Sequence, residues 1–329
     1  MVLLHYIVTI YEYTSKTTIF KEDNSKFLKF GCFAGTLFCV NICLFTESEI
    51  SQPLPKRDER TEHIVKVLHK KAGDSFDAGI IGGASGTATI VRIGEKGAAD
   101  EGALHFEFTP SGDGKPLYPL TMIIGFPRPI QLRRLLRDVA GLGVCAVHLT
   151  GTELGDKSYM KSTLVEKGAA YQMLLDGTAQ AASTHVPELF MHATLRECLE
   201  AVREDGAVGI ALDNIRPAMS LHAFLYGGDS AAGAGETVVA DGQPTVRGQA
   251  TTCAAGEQSV ACGQPTACGR KKIVAAIGSE RGWTDRERAL LEEFGFVRCG
   301  MGARVLRTET AATVAGAIIL DALGKLGAA

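Results

Sequence analysis

The stretch GMGARVLRTETAA, residues 300–312, places Arg304, Arg307, Thr308, Glu309 and Thr310 between a small-residue turn and an apolar run that ends at Leu320. A helix made almost entirely of Ala, Val and Ile belongs in a core. Its polar entrance must therefore satisfy its own backbone or bind something. The stretch just upstream, IGSERGWTDRERALLEEFG (277–295), has the same plan. A strand ends at Ile277, a loop runs from Gly278 to Gly282, and Thr284 with Glu287 forms a capping box that opens a helix. Leu290, Leu291 and Phe294 make its apolar stripe, and Gly295 its stop. Phe296 to Cys299 is then a strand, followed by Gly300, Met301 and Gly302. Two such units in succession bring backbone N–H groups to the carboxyl ends of neighbouring strands, where a ligand can be cradled. Neither loop holds a P-loop lysine or a three-glycine dinucleotide fingerprint, so a phosphate-gripping nucleotide site is disfavoured.

The elements around these loops read as two modules. From 41 to 110 the pattern is strand-rich: NICLF (41–45), a short helix in TEHIVKVLHKKAGD, a turn at Gly73-Asp74, then GASGTATIVRIGE and the alternating ALHFEFTP. This is a small β-barrel-like unit. After a linker at 109–117 the rhythm becomes strand then helix. LTMIIGF (120–126), VCAVHLT (144–150), AVGIAL (207–212), KIVAAIG (272–278) and FVRCG (296–300) are strands. Helices are expected over 128–143 and 161–182. Alternation of this kind implies a parallel sheet covered on both faces. Residues 227–271 are rich in Gly, Ala, Thr, Ser and Gln and read as a disordered insertion.

The chain has 329 residues and a net charge of −3, so a strongly basic footprint for nucleic acid is absent, although local patches remain at 56–71 and 128–137. Its nine cysteines include no C-x-x-C pair. Cys253, Cys262 and Cys268 cluster without a nearby histidine, so no metal site is expected. Scattered cysteines suit a reducing cytoplasm. Residues 28–45 are mostly apolar, but Lys29 and Asn41 interrupt them. We expect no membrane anchor, a folded chain that begins near Asn41, and an extension over 1–40 that is disordered or belongs to a misassigned start.

IGSERGWTDRERALLEEFGF followed by GMGARVLRTETAA resembles the signature of the RsmE family, bacterial small-subunit ribosomal RNA uridine-N3 methyltransferases of the SPOUT superfamily. HIVKVLHKKAGD (63–74), LGV (142–144) and AQAASTHVPEL (179–189) match further segments. The resemblance covers 41–329 apart from the 227–271 insertion. It implies a PUA-like RNA-binding domain over 41–110 and an α/β methyltransferase domain over 117–329 with a deep trefoil knot, working as a cytoplasmic homodimer. It also implies S-adenosylmethionine as methyl donor and 16S ribosomal RNA, or the small subunit, as substrate. The donor pocket would be Leu225, Tyr226, Gly278, Glu280, Gly282, Met301, Gly302, Leu306, Arg307 and Thr308, with Thr308 or Thr310 capping the buried helix.

Uracil N3 carries a proton and is a poor nucleophile until it leaves. Arg307 or Arg304 would stabilise the charge that develops on the ring. Glu309 would orient an arginine or take the proton. Alternatively, Arg307 and Glu309 pair with each other and only close the loop. Lys66, Lys70, Arg128 and Arg281 are the candidate RNA contacts. His63 and Trp283 are expected to pack. The chain departs from the family at three places. Ser279 and Arg281 stand in a loop that usually reads Gly-Pro-Glu-Gly-Gly. Asp138 and Gly141 replace a lysine and a glutamate. Ala182 and Ser183 replace a glycine and an arginine. These differences keep open a SPOUT enzyme with another target nucleotide, or a non-catalytic RNA-binding or ribosome-assembly protein.

Overall fold

The computed structural model describes residues 41–161, 168–227 and 272–327. The expectations for residues 1–40, for nearly all of the 227–271 insertion and for Cys253, Cys262 and Cys268 lie outside these residues. Among the described residues no helix is long and apolar enough to cross a membrane. The tail of the apolar run at 28–45 is strand β1 (Cys43–Phe45), all of it buried.

The chain builds two sheets. The smaller holds β1, β2 (Ser75–Ile80), β3 (Ser85–Ile93) and β4 (Leu104–Gly112) in that order, with β1 parallel to β2 and the other pairs antiparallel. Among the described residues the ladder is not closed, and β1 and β4 are its edges. Alternation in β2 and β3 turns Phe76, Ala78, Ala88 and Ile90 inward onto Phe45, Leu54, Ile64 and Leu104. Helix α1 (Glu59–Glu62) and a π-helical turn (His63–Val67) cover this core. Arg60 lies over the Phe45 ring and pairs with Glu49 (2.9 Å) and Asp58 (2.8 Å), which fastens the loop after β1.

The larger sheet has seven parallel strands in the order β7-β6-β5-β10-β8-β11-β9. These are β5 (Tyr118–Gly125), β6 (Val144–Thr150), β7 (Glu188–His192), β8 (Val208–Leu212), β9 (Met219–Ser220), β10 (Ile273–Ile277) and β11 (Val297–Gly300). Every residue of β10 is buried, as a strand covered on both faces requires. One face packs on α2 (Pro129–Gly141), α3 (Ala169–Gln180), α5 (Leu221–Tyr226) and α7 (Thr308–Ala322). The other packs on α4 (Leu195–Ala201), α6 (Asp285–Glu293) and Trp283. Of the expected helix over 161–182, residues 162–167 lie outside the described residues; the described part is α3, Ala169–Gln180, entered through Gly168 at φ +68°. The short elements β7, α4, β9 and α5 escaped the sequence reading, because runs this short carry too little periodicity to register.

The sheets are joined through the loop after α3. Thr184 donates from Oγ1 to the Gly83 carbonyl (2.5 Å), and its own carbonyl accepts from Gly82 N (2.8 Å). Ser183 Oγ donates to the carbonyls of Gly114 (3.0 Å) and Lys115 (3.1 Å). Ile42, Leu44 and Ala179 add a small apolar core between them.

Candidate active site

Strands β8, β10 and β11 end side by side, and the loops that leave them enclose a pocket of about 260 Å³. Leu212 to Ile215, Ile277 to Trp283, Met301, Gly302 and Arg304 to Leu306 supply most of its lining, closed by Thr308 and Ala311 of α7. Capping chemistry explains the shape. Gly282 at φ +73° turns the first loop back, and a Ser279–Gly282 bridge closes it. Arg281, which stands where the family usually has glycine, keeps φ negative, so the left-handed requirement falls on Gly282 and the substitution strains nothing. Gly302, at φ +97°, makes the corresponding turn in the second loop.

The capping box at Thr284 and Glu287 forms as its spacing predicts. Glu287 does more than cap. It is 4% exposed, and its Oε1 accepts from Glu153 N at 2.9 Å, so it also holds the loop after β6. The entrance to α7 differs from the expectation. Arg307 is the cap residue with no side-chain cap, Thr310 makes no cap, and Thr308, the first helical residue, donates to the Gly278 carbonyl at 3.3 Å. Thr308 therefore clips the two pocket loops together rather than capping its own helix.

Of the candidate donor-binding residues, Gly278, Glu280, Gly282, Met301, Gly302, Leu306 and Thr308 line this pocket. Arg307 lies at its edge, exposed. Leu225 points into the core and Tyr226 donates to Asp321 at 2.6 Å, so neither lines the pocket. Arg304 lines the wall and is exposed. Among the described residues no ion pair joins Arg307 or Arg304 to Glu309, so the closing pair is not formed. Glu309 is half-buried in the first turn of α7.

The RNA-contact candidates divide. Arg128 pairs with Glu280 (3.1 Å), and its backbone N–H also faces that carboxylate. Glu280 thus pins the pocket loop to the start of α2, a favourable end for an anion, and the carboxylate holds the Arg128 guanidinium above its ordinary range. Lys66 pairs with Glu62 one turn away (2.8 Å). Lys70 is half-buried and Arg281 is exposed.

Sequence reading missed the floor. Asp213, nearly fully buried, accepts from Arg288 at 2.6 Å and lies 3.5 Å from Arg298, and its Oδ1 takes Ile215 N at 3.0 Å. These bonds raise the Arg288 guanidinium and set the loop after β8. Trp283 packs as expected, 2% exposed, with Nε1 donating to the Leu212 carbonyl (3.1 Å). Burial pushes the Cys299 thiol up to about 11, an inert wall rather than a nucleophile.

The lining suits a ligand with both apolar and polar parts. Leu212, Ile277, Leu306 and Ala311 give apolar walls, and the glycine loops bring backbone close. Ser279 Oγ is buried with no hydrogen-bond partner among the described residues, which leaves one hydroxyl for a ligand.

The fold and pocket define a parallel α/β protein with a ligand site at the carboxyl ends of its strands, and comparison with known proteins sharpens this. A model described as an RNA methyltransferase domain matches residues 114–230 and 245–320. Ribosomal RNA small subunit methyltransferase E of Treponema pallidum is 35% identical over 85% of this chain and 91% of its own length. Ribosomal RNA small subunit methyltransferase E 1 of Borreliella burgdorferi is 25% identical over 85% and 97%. The crystal structure of the Neisseria gonorrhoeae methyltransferase E bound to S-adenosylmethionine shares the fold, with a TM-score of 0.60 and 18% identity over 86% of this chain and 97% of that one. The chain belongs to the ribosomal RNA small subunit methyltransferase E family.

Proposed function

We propose that this chain transfers a methyl group from S-adenosylmethionine to N3 of a uridine in 16S ribosomal RNA of the small subunit. The observation that carries the reading is the pocket of two clipped glycine loops with the guanidiniums of Arg304 and Arg307, in no ion pair among the described residues, at its wall and edge. Bound there, the donor supplies a methyl group already activated by its sulfonium. Gly278 to Gly282, Met301, Gly302, Leu306 and Thr308 hold it, with the Ser279 hydroxyl as a further contact. Arg307, with Arg304, stabilises the uracil ring as N3 loses its proton. Glu309 orients an arginine or accepts that proton. The target base must leave its stack to reach the pocket.

The small sheet, residues 41–110, serves in this reading as a PUA-like RNA-binding domain beside a catalytic domain over 117–329. Arg281, Lys66 and Lys70 meet phosphates, since an exposed pair such as Lys66–Glu62 is weak and exchanges readily. The C-terminal segment forms a trefoil knot. In support, β10 lies between β5 and β8, and α7 packs back on α2 and β5. A homodimer completes the site. Val305, 79% exposed, and Ile215, 52% exposed, are apolar pocket-lining residues that a second copy would cover.

The test is methyl transfer. Full-length protein is incubated with labelled S-adenosylmethionine and either small subunits or 16S ribosomal RNA lacking the modification, followed by nucleoside mass spectrometry. A 3-methyluridine peak is expected. A different methylated nucleoside would overturn the target. Donor binding without any transfer would identify a non-catalytic relative.

A further inference from the structure

Three polar side chains meet on the α4 face of the large sheet, and none of them lines the pocket. In the parallel register of β6 and β7, His148 lies opposite Phe190 and Thr150 opposite His192. Side chains two apart on a strand share a face, so the two histidines are diagonal neighbours. Their ring planes are 8° apart with centroids at 5.2 Å, yet His148 Nδ1 and His192 Nε2 are only 3.0 Å apart. The rings therefore sit side by side, with the two nitrogens turned toward each other. Cys198 approaches from α4, and the three potential ligand atoms all lie within 4.8 Å of one another. All three residues are buried, and the two imidazoles hydrogen-bond to each other.

We propose that His148, His192 and Cys198 form a binding site for a borderline-soft divalent cation of the Zn²⁺ type. Two imidazole nitrogens and one sulfur are the donor set such ions select, whereas Mg²⁺ and Ca²⁺ require oxygen ligands. Zinc bond lengths place tetrahedral ligand atoms about 3.3–3.6 Å apart. To reach that spacing the imidazoles part by a few tenths of an ångström and turn so that both facing nitrogens aim at one point beside the line between them, and the Cys198 side chain closes by about 1 Å. The proton shared between the facing imidazole nitrogens moves to the far nitrogen of its own ring, and the metal–sulfur bond forms as the thiol proton leaves to solvent, so one proton is released per cation. A water fills the fourth position. Phe190, stacked on His148 with centroids 4.6 Å apart, steadies that ring. The bound ion ties the edge strand β7 and helix α4 to β6, and is a staple rather than part of methyl transfer.

The experiment is a Co²⁺ titration of chelator-treated full-length protein. One equivalent is expected to raise a sulfur-to-cobalt charge-transfer band, which Zn²⁺ then displaces. Cys198→Ser should abolish the band, and His192→Gln should weaken binding by more than the ~10–100-fold that losing an outer-shell partner costs. Replacing Cys253, Cys262 and Cys268 together by serine should leave the band unchanged. X-ray absorption of the Zn²⁺-loaded native protein should show one sulfur and two imidazole nitrogens and needs no variant. No band, a band that survives Cys198→Ser, or a metal shell with no sulfur or several sulfurs would overturn the site.

Discussion

Thr308 Oγ1 donates to the Gly278 carbonyl at 3.3 Å and joins two loops thirty residues apart. Gly278 follows β10 and Thr308 opens α7, so a single buried hydroxyl sets the spacing between both walls of the pocket. Thr308→Val keeps the volume and deletes the bond. It is expected to cost about 1–2 kcal/mol in unfolding free energy, since the carbonyl loses its partner. S-adenosylmethionine affinity, read by calorimetry, should fall about tenfold, equivalent to about 1.4 kcal/mol. Unchanged affinity would show that the loops keep their spacing without the clip.

Arg307 and Glu287 should fail in opposite ways. Arg307 is exposed and, among the described residues, in no ion pair, so Arg307→Ala should leave stability within about 0.5 kcal/mol. Its loss should slow methyl transfer by about 10²–10³-fold, as removal of a donor to a developing anion does. Glu287→Ala deletes a cap and strands the Glu153 N–H. It should cost about 2–3 kcal/mol in stability, with a smaller effect on transfer per folded molecule. Thermal unfolding and single-turnover rates on both variants separate the two, and equal small effects on turnover would remove Arg307 from the chemistry.

Ala182 ends α3 in a left-handed conformation, φ +54°. The N–H of Ala182 bonds the Ala179 carbonyl and the N–H of Ser183 bonds the Thr178 carbonyl, the pattern of a Schellman cap in which glycine is the usual residue. Ala182→Gly should therefore stabilise the protein by about 0.5–1 kcal/mol, because relief of the left-handed strain exceeds the entropy cost of glycine. A lower denaturation midpoint in urea would contradict this.

Acid should loosen the small sheet before the large one. Hydrogen bonding to Arg60 holds the Glu49 carboxyl down to about 2, and the same guanidinium lowers Asp58. A carboxyl depressed in the folded state contributes stability above its ordinary pKa and loses it as pH falls toward the folded value. The contribution of Glu49 is thus complete above about pH 4.5 and gone near pH 2. Melting temperature should fall across that window, and Glu49→Gln should flatten the slope. An unaltered slope in the variant would place the acid sensitivity elsewhere.

Much of the site was legible along the chain because its two loops are local objects. Strand, glycine turn and helix cap lie within about twenty residues of each other, and the rules for turns and caps act over just that range. The Thr284 cap, the apolar stripe of α6 and the buried course of α7 all follow from neighbouring residues. The Asp213–Arg288 pair was not legible. Its partners lie seventy-five positions apart and meet only because β8 and α6 pack on the same sheet. His148, His192 and Cys198 escaped for the same reason, being separated in sequence and brought together by strand register.

The sequence by itself determined the alternation of elements, the parallel sheet, the glycine loops and the family signature, since each rests on periodicity or on contiguous residues. Tertiary structure decided which polar groups satisfy one another. It gave the Thr308 hydroxyl to Gly278 instead of its own helix, paired Arg128 with Glu280, and turned Leu225 into the core. Those choices depend on which strand ends stand side by side, and strand order within a parallel sheet is set by packing over the whole chain rather than by any local pattern.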